Sequence, residues 1–430
     1  MQRHQRLAAS LAAAALLAYG PRAEAAAKFS TLYNFVSTGG GAGDANNPYA
    51  GLVVDASGNL YGTTFGGGAA GEGAVYELFP PVSGQGAWTE TLLYSFYATN
   101  HADGVKPTGR LVFGPHGELY GTTSSAGGTG GNGFGTVFEL TPPAIAGGAW
   151  TETTLHVFTG TGGDGATPSA GLAIDSNGIL YGTTYEGGST ATQTGPGYGT
   201  VFSLAPPATG KSWTETILYS FSNTGRDGIT PQSDILLGAG GTLYGTTPVC
   251  SSTLSCAGTV FQLTPSGGGW TESVILGLPA GGASGSGPNP QLAIDSSGNL
   301  YGTTGIGVGM AFCISPPTGG ATKWTHTILA RFKADKSGGP QGGVTLGAGG
   351  VVYGTLTYGL HKSGGSIYRL TPPAGSGAWT DTTLYTFAAK PAGGGVFPVG
   401  SLVSDANGNY YGVTEIGGTS GVGTVFEITP

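Results

Sequence analysis

The chain repeats one short strand seven times. Each copy ends in Tyr-Gly, nearly always followed by Thr-Thr, and the copies recur at intervals of 52 to 63 residues, with the tyrosines at Tyr61, Tyr120, Tyr181, Tyr244, Tyr301, Tyr353 and Tyr411. Self-similarity at such a period is typical of one supersecondary unit used repeatedly. The repeated residues are apolar or turn-forming, and no acid, base, nucleophile or metal ligand recurs in every copy. The repeat therefore predicts an architecture more firmly than a function.

One unit, residues 109–158, contains four short strands separated by turns. In the fourth strand of the repeat, residues that face the core alternate with residues that face away from it. In the copy that starts at Trp88, for example, Trp88, Leu92, Tyr94 and Phe96 share one face. A period of two predicts a strand with one packed face. Four meandering strands per repeat predict a propeller blade. We expect the repeated Tyr ring to pack between blades, with the following Gly leaving room for neighbouring backbone.

The two ends of the repeat region predict how the ring closes. Six Trp residues open six fourth strands, whereas there are seven Tyr-Gly strands, and residues 29–35 resemble the missing fourth strand. The chain stops at residue 430, at the end of a third strand. We therefore predict an all-β, seven-bladed β-propeller of four-stranded antiparallel blades over residues 29–430. Its last blade is closed by the N-terminal strand, which leaves no open edge.

Composition fits a folded, turn-rich protein. The 86 Gly residues follow no three-residue period, which excludes collagen, and 39% hydrophobic content is too high for a disordered chain. The formal net charge of −8 argues against nucleic acid, which requires a basic face. We expect a monomer.

The N-terminus has the pattern of an export signal. Arg3 and Arg6 precede an apolar run from Leu7 to Leu17, and Ala23-Glu24-Ala25 forms a cleavage site, with Ala27 as a second choice. Residues 1–25 are thus predicted to be a secretory signal peptide, and the protein to be secreted or periplasmic. No later apolar stretch reaches 18 residues, so we expect no membrane span.

The repeated strings resemble a known family. Gly-Asn-Leu-Tyr-Gly-Thr-Thr (residues 58–64 and 298–304), Gly-Thr-Val-Phe-x-Leu, Trp-Thr-Glu and Leu-Tyr-Ser-Phe are similar to the GloVer tandem-repeat family of exported bacterial proteins. The resemblance covers residues 29–430 and implies a propeller with no assigned activity. Many relatives carry a C-terminal anchoring segment, and its absence here favours a soluble exported form.

Two sets of Asp residues recur in loops. Asp55, Asp175, Asp295 and Asp405 begin Asp-x-x-Gly turns, where a carboxylate bonds backbone amides. The second set precedes Pro in the blade-to-blade loops and comprises Asp44, Asp103, Asp164, Asp227 and, in a longer variant, Asp335. This set is expected on the rim that carries the loops between second and third strands. It either caps turns or forms a ligand or Ca²⁺ face, and no other cofactor is expected.

The loops between second and third strands vary most among the copies, and variable loops on a constant scaffold commonly bind ligands. The candidate sugar-stacking and hydrogen-bonding residues are Tyr185, Glu186, Gln193 and Tyr198 in the third copy, and Tyr358 and His361 in the sixth. The alternative is that these are ordinary loop residues, since single exposed aromatic residues are common.

Cysteine usage suits an oxidising compartment. Cys250 and Cys256 lie six residues apart in one loop and are predicted to form a local disulfide. Cys313 is predicted to be free and to lie near solvent or a blade edge, because its position accepts varied residue types.

Catalytic motifs are absent from the sequence: no Ser fits G-x-S-x-G, and there is no H-E-x-x-H. The favoured interpretation is a binding module for a glycan or another surface macromolecule. One alternative is a lyase or hydrolase with its site at the channel mouth, and another is a purely structural module, since the fold alone does not decide function.

Overall fold

The computed structural model describes residues 26–36, 44–82, 86–97, 103–128, 133–145, 147–189, 196–208, 210, 212–224, 227–252, 254, 256–279, 286–306, 309–332, 339–357, 363–388 and 394–430. The predicted signal peptide, residues 1–25, lies outside these ranges.

The described residues form seven antiparallel blades of four strands each, so the predicted propeller is confirmed. Blade 1 consists of Val53–Val54, Leu60–Gly67, Ala74–Phe79 and Thr89–Ser95. Blade 2 consists of Val112–Phe113, Leu119–Thr123, Thr136–Thr141 and Thr151–Val157. Blade 3 consists of Ala173–Ile174, Leu180–Thr184, Thr200–Ala205 and Thr214–Ser220. Blade 4 consists of Leu236–Leu237, Leu243–Thr247, Cys256–Ser266 and Gly269–Pro279. Blade 5 consists of Ala293–Ile294, Leu300–Ile306, Met310–Ser315 and Thr325–Arg331. Blade 6 consists of Val344–Leu346, Val352–Leu356, Ser366–Thr371 and Thr380–Thr386. Blade 7 consists of Gly395–Ser404, Tyr410–Gly417 and Thr424–Thr429, and its fourth strand is the N-terminal strand Lys28–Asn34.

Short ladders and turns complete the rims. The additional strands are Ala45–Pro48, Gly165–Ala166, Glu186–Gly187, Gly228–Ile229, Val249–Cys250 and Ser286–Pro288, and two single 3-10 turns span Ala239–Gly241 and Ala348–Gly350. Pairing of Gly165 with Gly187 joins a blade-to-blade connection to a loop between second and third strands. These two loop types therefore share one rim, as expected from the sequence.

The hydrophobic core lies between blades. Tyr61 of blade 1 packs with Leu111 and Phe138 of blade 2, and Tyr120 of blade 2 packs with Leu172 and Phe202 of blade 3. Six of the seven repeated tyrosines are only 6–8% exposed. Each blade thus depends on its neighbour to bury its apolar face, which is why the unit must repeat.

The Tyr-Gly pair has two local roles. The Tyr61 hydroxyl donates to Asp55 at 3.2 Å, and Tyr411 donates to Asp405 at 3.1 Å, so the ring also caps the Asp-x-x-Gly turn. The expected role of the Gly was wrong. A Cβ on Gly121 would lie 2.5 Å from the ring of Phe138 on the adjacent third strand, so the glycine accommodates an aromatic ring of its own blade and not neighbouring backbone.

The Thr-Thr pair connects strands and blades. The first hydroxyl donates to a carbonyl of the next blade, as from Thr122 to Ala170 at 2.8 Å. The hydroxyl of the second Thr forms a hydrogen bond with the hydroxyl of a Thr on the adjacent third strand, as between Thr123 and Thr136 at 2.8 Å. All three of these Thr residues are at most 1% exposed, so these bonds satisfy buried polar groups that would otherwise be costly.

The N-terminal strand closes the ring, as predicted. Lys28–Asn34 pairs antiparallel with Thr424–Thr429, and Phe29 lies opposite Ile428. The Phe29 ring stacks on Tyr385 of blade 6 at 3.7 Å, and Phe35 packs edge-on against Tyr76 of blade 1 at 5.1 Å. The strand therefore contacts both neighbours of the blade it completes.

Cys250 and Cys256 form a disulfide in the blade 4 loop, with their Cα atoms 5.8 Å apart. Cys313 is free, but it is buried and not near solvent as expected from the sequence. Burial raises the pKa of its thiol, which disfavours a reactive thiolate.

We predict that Gly121→Ala destabilises the protein by about 1–3 kcal/mol, because the added methyl group overpacks the Phe138 site. The matched control is Gly375→Ala, in a turn where an added Cβ meets no atom within 4 Å. Denaturant unfolding of both variants measures the difference. Equal stabilities would contradict the packing role of the repeated glycine.

We also predict that a variant lacking residues 26–35 melts earlier than the parent or aggregates. Its loss would expose Thr424–Thr429 as an unpaired edge, a template for association with other chains. Thermal melting together with size-exclusion chromatography provides the measurement. A truncated chain that stays monomeric and melts like the parent would show that closure contributes no stability.

Candidate functional site

A cavity of about 1000 Å³ lies on the ring axis. Residues from all seven blades line it, which places it at the centre of the propeller. Its lining includes the aromatic residues Tyr49, Phe65 and Tyr185, the amides Asn47, Gln232, Asn289, Gln291 and Gln341, and the charged residues Arg110, Asp234 and Glu415. We call it the axial cavity. Its volume lies at the upper end of the range usual for small-molecule sites.

The cavity wall is built from a sequence pattern that recurs in every blade. Where the chain enters each blade, a Pro is followed by three residues and then an aliphatic residue, with the prolines at Pro48, Pro107, Pro168, Pro231, Pro288, Pro340 and Pro398. The aliphatic residue directly precedes the first strand in blades 1 to 5, begins it in blade 6 and lies within it in blade 7. Because proline fixes its own φ, the backbone takes a similar direction towards the ring axis in each copy. We call these seven stretches the inner segments.

The residue before the proline is backbone-strained in most copies. Asn47, Lys106, Thr167, Thr230 and Phe397 have φ between 55° and 60°, which is uncommon for residues other than glycine. Their backbone N–H groups donate to the loop of the preceding blade, as from Thr167 to the carbonyl of Phe134 at 2.7 Å. Strain of this kind persists only where the surroundings fix it, and it is common at functional sites.

Four polar side chains meet across the floor of the cavity. Arg110 Nε lies 3.5 Å from Asp234 Oδ2, and Gln291 Nε2 donates to the same oxygen at 3.1 Å. The backbone N–H of Ser401 donates to Gln291 Oε1 at 2.9 Å, and the Ser401 hydroxyl contacts the same oxygen. These residues come from blades 2, 4, 5 and 7. We call them the floor network.

Glycines in the other three blades make this network fit. Gly51, Gly171 and Gly343 occupy the same third position after the proline. A Cβ on Gly51 would lie 2.9 Å from the carbonyl oxygen of Ser401. The backbone N–H of Gly171 donates to Asp234 Oδ1 at 2.7 Å, so both oxygens of that carboxylate are engaged. The axial cavity is therefore a cup with a hydrogen-bonded floor.

The predicted loop residues have different positions. Tyr185 lines the axial cavity. Glu186 is half-buried in the short ladder opposite Ala166, and Tyr198 packs against the core of blades 3 and 4. Gln193, Asp335, Tyr358 and His361 lie outside the described residues. Among the described candidates, the structure therefore brings only Tyr185 to the cavity.

The four described members of the second Asp set each lie beside the fourth strand of the preceding blade, so the structure does not bring them together at one site. Tyr33 donates to Asp44 at 3.0 Å, Tyr94 to Asp103 at 2.7 Å and Tyr219 to Asp227 at 2.9 Å. Asp164 faces His156 instead, with 3.4 Å between Oδ1 and Nε2. Three of the four, Asp44, Asp164 and Asp227, also accept a backbone N–H that follows the fourth strand, which is turn capping.

Each of the four described members of this set also interacts with a Glu on the fourth strand of the next blade, the glutamates being Glu90, Glu152, Glu215 and Glu272. We call the resulting groups of Tyr or His, Asp and Glu the seam clusters. Burial, together with the nearby Asp, raises the pKa of Glu90 to about 9, and the pKa values of Glu152 and Glu272 to about 7. Burial penalises a second negative charge beside the first, so these glutamates tend to keep a proton.

We predict that thermal stability falls as pH rises through about 7. The pKa of Glu152 and Glu272 is higher in the folded state than the ordinary value of 4.5, so the stabilisation they give is complete at low pH and is lost as they ionise. Calorimetric melting temperatures at intervals between pH 5 and pH 9 test this. Glu152→Gln with Glu272→Gln should make the fall near pH 7 shallower, with the remainder due to Glu90 and Glu215, and an unchanged fall would contradict the assignment.

Sequence reasoning missed the floor network and the inner segments. Tyr49 and Phe65 were also missed, although their side chains are 51% and 42% exposed. The sequence nevertheless carries a sign of the floor network. When the seven Pro-containing segments are aligned, the third position after the proline is glycine in three copies and a polar residue in the other four, namely Arg110, Asp234, Gln291 and Ser401.

Among the described residues, no helix is long and apolar enough to cross a membrane.

Residues 21–195 match the model of the family described as the Gloeobacter/Verrucomicrobia repeat, which confirms the resemblance seen in the sequence over that part of the chain. No curated protein sequence matches the chain.

Solved structures share the fold at low sequence identity. An ulvan lyase of polysaccharide lyase family PL25, bound to -[GlcA(1-4)Rha3S]-, is 10% identical with a TM-score of 0.53, and the match covers 93% of this chain and 95% of that one. The β-propeller domain of Cps50 (Swd1) from Myceliophteria thermophila is 10% identical with a TM-score of 0.51, covering 94% and 100%. A provisionally named 6-phosphogluconolactonase from Bacteroides uniformis is 12% identical with a TM-score of 0.50, covering 85% and 97%. At these identities the likeness shows the fold alone.

Proposed function

We propose that this protein of Gloeobacter/Verrucomicrobia repeats is an exported binding module that holds a neutral oligosaccharide in the axial cavity. The observation that carries the proposal is the combination of exposed aromatic rings and amide side chains around one cup. The predicted signal peptide and the disulfide between Cys250 and Cys256 support export.

The aromatic residues supply flat apolar surface for the C–H faces of sugar rings. Tyr49 and Phe65 are about half exposed, and Tyr185 also lines the cavity. Phe65 also has the Lys106 ammonium over its ring at 5.3 Å, a favourable cation–π contact. A small number of placed polar groups among such surfaces is typical of ligand sites.

The amides supply the polar contacts. Gln232 and Gln341 line the cavity, and each carries both a donor and an acceptor in its side chain. Sugar hydroxyl groups likewise donate and accept, so amides can pair with them without burying a charge. The aromatic walls and these amides together suit an oligosaccharide of a few residues.

The charges favour a neutral ligand over an acidic one. The Arg110 guanidinium is paired with Asp234 at the floor, and the remaining charged residue of the lining is Glu415. The described lining residues sum to a formal charge of −1, and the Lys106 ammonium over the Phe65 ring brings the local charge close to zero. An entering carboxylate or sulfate would therefore find no excess of positive charge, and Glu415 would repel it.

The same count favours binding over glycoside hydrolysis. Most glycosidases use a pair of carboxyl groups flanking the bond. Within the described lining, Asp234 is already engaged by Gly171, Gln291 and Arg110, which leaves Glu415 without a second free carboxyl group. Release of shorter sugars on incubation would identify an enzyme instead.

We predict that Tyr49→Ala and Tyr185→Ala each weaken binding of the best glycan by about 10- to 100-fold, as truncation of an aromatic anchor does. An array of neutral and acidic oligosaccharides identifies the glycan, and isothermal titration measures its Kd. The matched control is Phe134→Ala, an exposed aromatic residue on the same rim that does not line the cavity.

Binding that Phe134→Ala weakens as much as Tyr185→Ala would place the site elsewhere on the rim. Preference for sulfated or uronic glycans would contradict the charge argument. No binding to any glycan on the array would refute the proposed function.

A further inference from the structure

One of the four described seam clusters differs from the others in a single side chain. Three clusters place a Tyr beside the Asp and Glu, namely Tyr33, Tyr94 and Tyr219, whereas the cluster between blades 2 and 3 has His156. The backbone frame is the same, since His156 occupies the same fourth-strand position as these tyrosines. The substitution replaces a phenol, which stays protonated near neutral pH, with an imidazole, a common metal ligand.

The three side chains of this cluster converge on one point. His156 Nε2 lies 3.4 Å from Asp164 Oδ1 and 3.9 Å from Glu215 Oε1. One ligand atom from each residue lies within 4.8 Å of the others. Ligands about 2.0–2.2 Å from a tetrahedral ion lie about 3.3–3.6 Å apart, so an ion requires only small inward movements.

The surroundings orient the carboxylate towards this point. The backbone N–H and the hydroxyl of Thr159 donate to Asp164 Oδ2 at 2.7 and 2.8 Å. The other oxygen, Oδ1, is thereby left facing His156. Hydrogen bonds of this kind, made to the non-ligating atom, orient metal ligands in known sites.

Glu215 provides the third ligand atom. Its Oε1 is buried and accepts no hydrogen bond from the described residues, which is also true of Oε1 of Glu90 and Glu272 in the tyrosine-containing clusters. Among the four described clusters, only this one places an imidazole nitrogen near that oxygen, at 3.9 Å. A buried acceptor without a partner is costly and indicates a missing proton or ion. The side chains of His156, Asp164 and Glu215 are 21%, 15% and 15% exposed, so an ion can reach them from solvent.

We propose that His156, Asp164 and Glu215 form a divalent transition-metal site, with Zn²⁺ as the best-fitting ion. One imidazole and two carboxylates are ligands that Zn²⁺ accepts, and solvent fills the fourth position. Ca²⁺ fits less well because it requires six to eight oxygen ligands. The site joins the fourth strands of blades 2 and 3 through the connection between them, so it acts as a clamp between two blades.

The sister clusters provide the controls. His156→Tyr recreates the arrangement already present in the other three seams, so it should fold while losing the site. Tyr219→His should create a second site with Asp227 and Glu272, because Tyr219 already contacts Asp227 and Oε1 of Glu272 is buried without a partner. Glu215→Gln tests the third ligand separately.

The experiment is calorimetric titration of the chelator-treated protein with Zn²⁺ alone, with melting temperature as a second readout. The parent should bind one equivalent and melt higher with Zn²⁺. His156→Tyr should bind at least about 30-fold more weakly with an unchanged melting temperature without metal. Tyr219→His should bind two equivalents.

Three results would overturn the proposal. The first is no binding by the parent at 100-fold excess Zn²⁺ over protein at about 10 μM, a regime where the histidine-containing sites of proteins are filled. The second is binding that His156→Tyr and Glu215→Gln leave unchanged, which would place the ion elsewhere. The third is an unaltered stoichiometry in a folded Tyr219→His variant.

Discussion

The hydrogen bond from the first Thr of each Tyr-Gly-Thr-Thr strand to the next blade is the interaction on which the rest depends. The hydroxyls of Thr63, Thr122 and Thr183 donate to carbonyls of the inner segments of blades 2, 3 and 4. Near the axis there is no room for a strand ladder on both sides of these segments, so their carbonyls would otherwise be buried without partners. A short side chain with a donor solves this problem and holds each of blades 1 to 5 to the next. At the equivalent position, blade 6 has Thr355, whose hydroxyl has no hydrogen-bond partner among the described residues, and blade 7 has Val413. The axial cavity is therefore formed by the scaffold itself.

Much of the fold could be predicted because its determinants are local. Alternation predicted the strands, repetition predicted the ring, and the match between residues 29–35 and the fourth strands predicted closure. The role of Gly121 could not be predicted, because it depends on which ring of the next strand faces it. The floor network was also beyond reach, since Arg110 and Ser401 lie almost three hundred residues apart in the chain and meet only where the ring radius brings them together. Tyr185 was found because loop variation is visible in one sequence.

The same scaffold carries different chemistry at different radii. At the axis, aromatic and amide side chains line a cup whose charges are nearly balanced, which suits neutral hydroxyl-rich ligands. Further out, the seam clusters bury Asp and Glu side by side, and a proton or an ion must relieve their repulsion. Asp103 and Asp227 are only 3% and 2% exposed, so this relief concerns buried groups and affects stability directly. The cluster with His156 in place of Tyr has the same backbone, but its imidazole allows an ion as well as a proton to reduce the repulsion between the two carboxylates.

Amide hydrogen exchange in the inner segments tests the central claim, that a preformed cup is held by bonds between blades. Peptides covering residues 107–111, 168–172 and 231–235 can be compared with the buried third strands and with the exposed turns between third and fourth strands. The account predicts that the inner segments exchange as slowly as the third strands, because both open only when the ring unfolds. Inner segments that exchange as fast as the exposed turns, while the third strands remain protected, would show that the cup is not held by the scaffold.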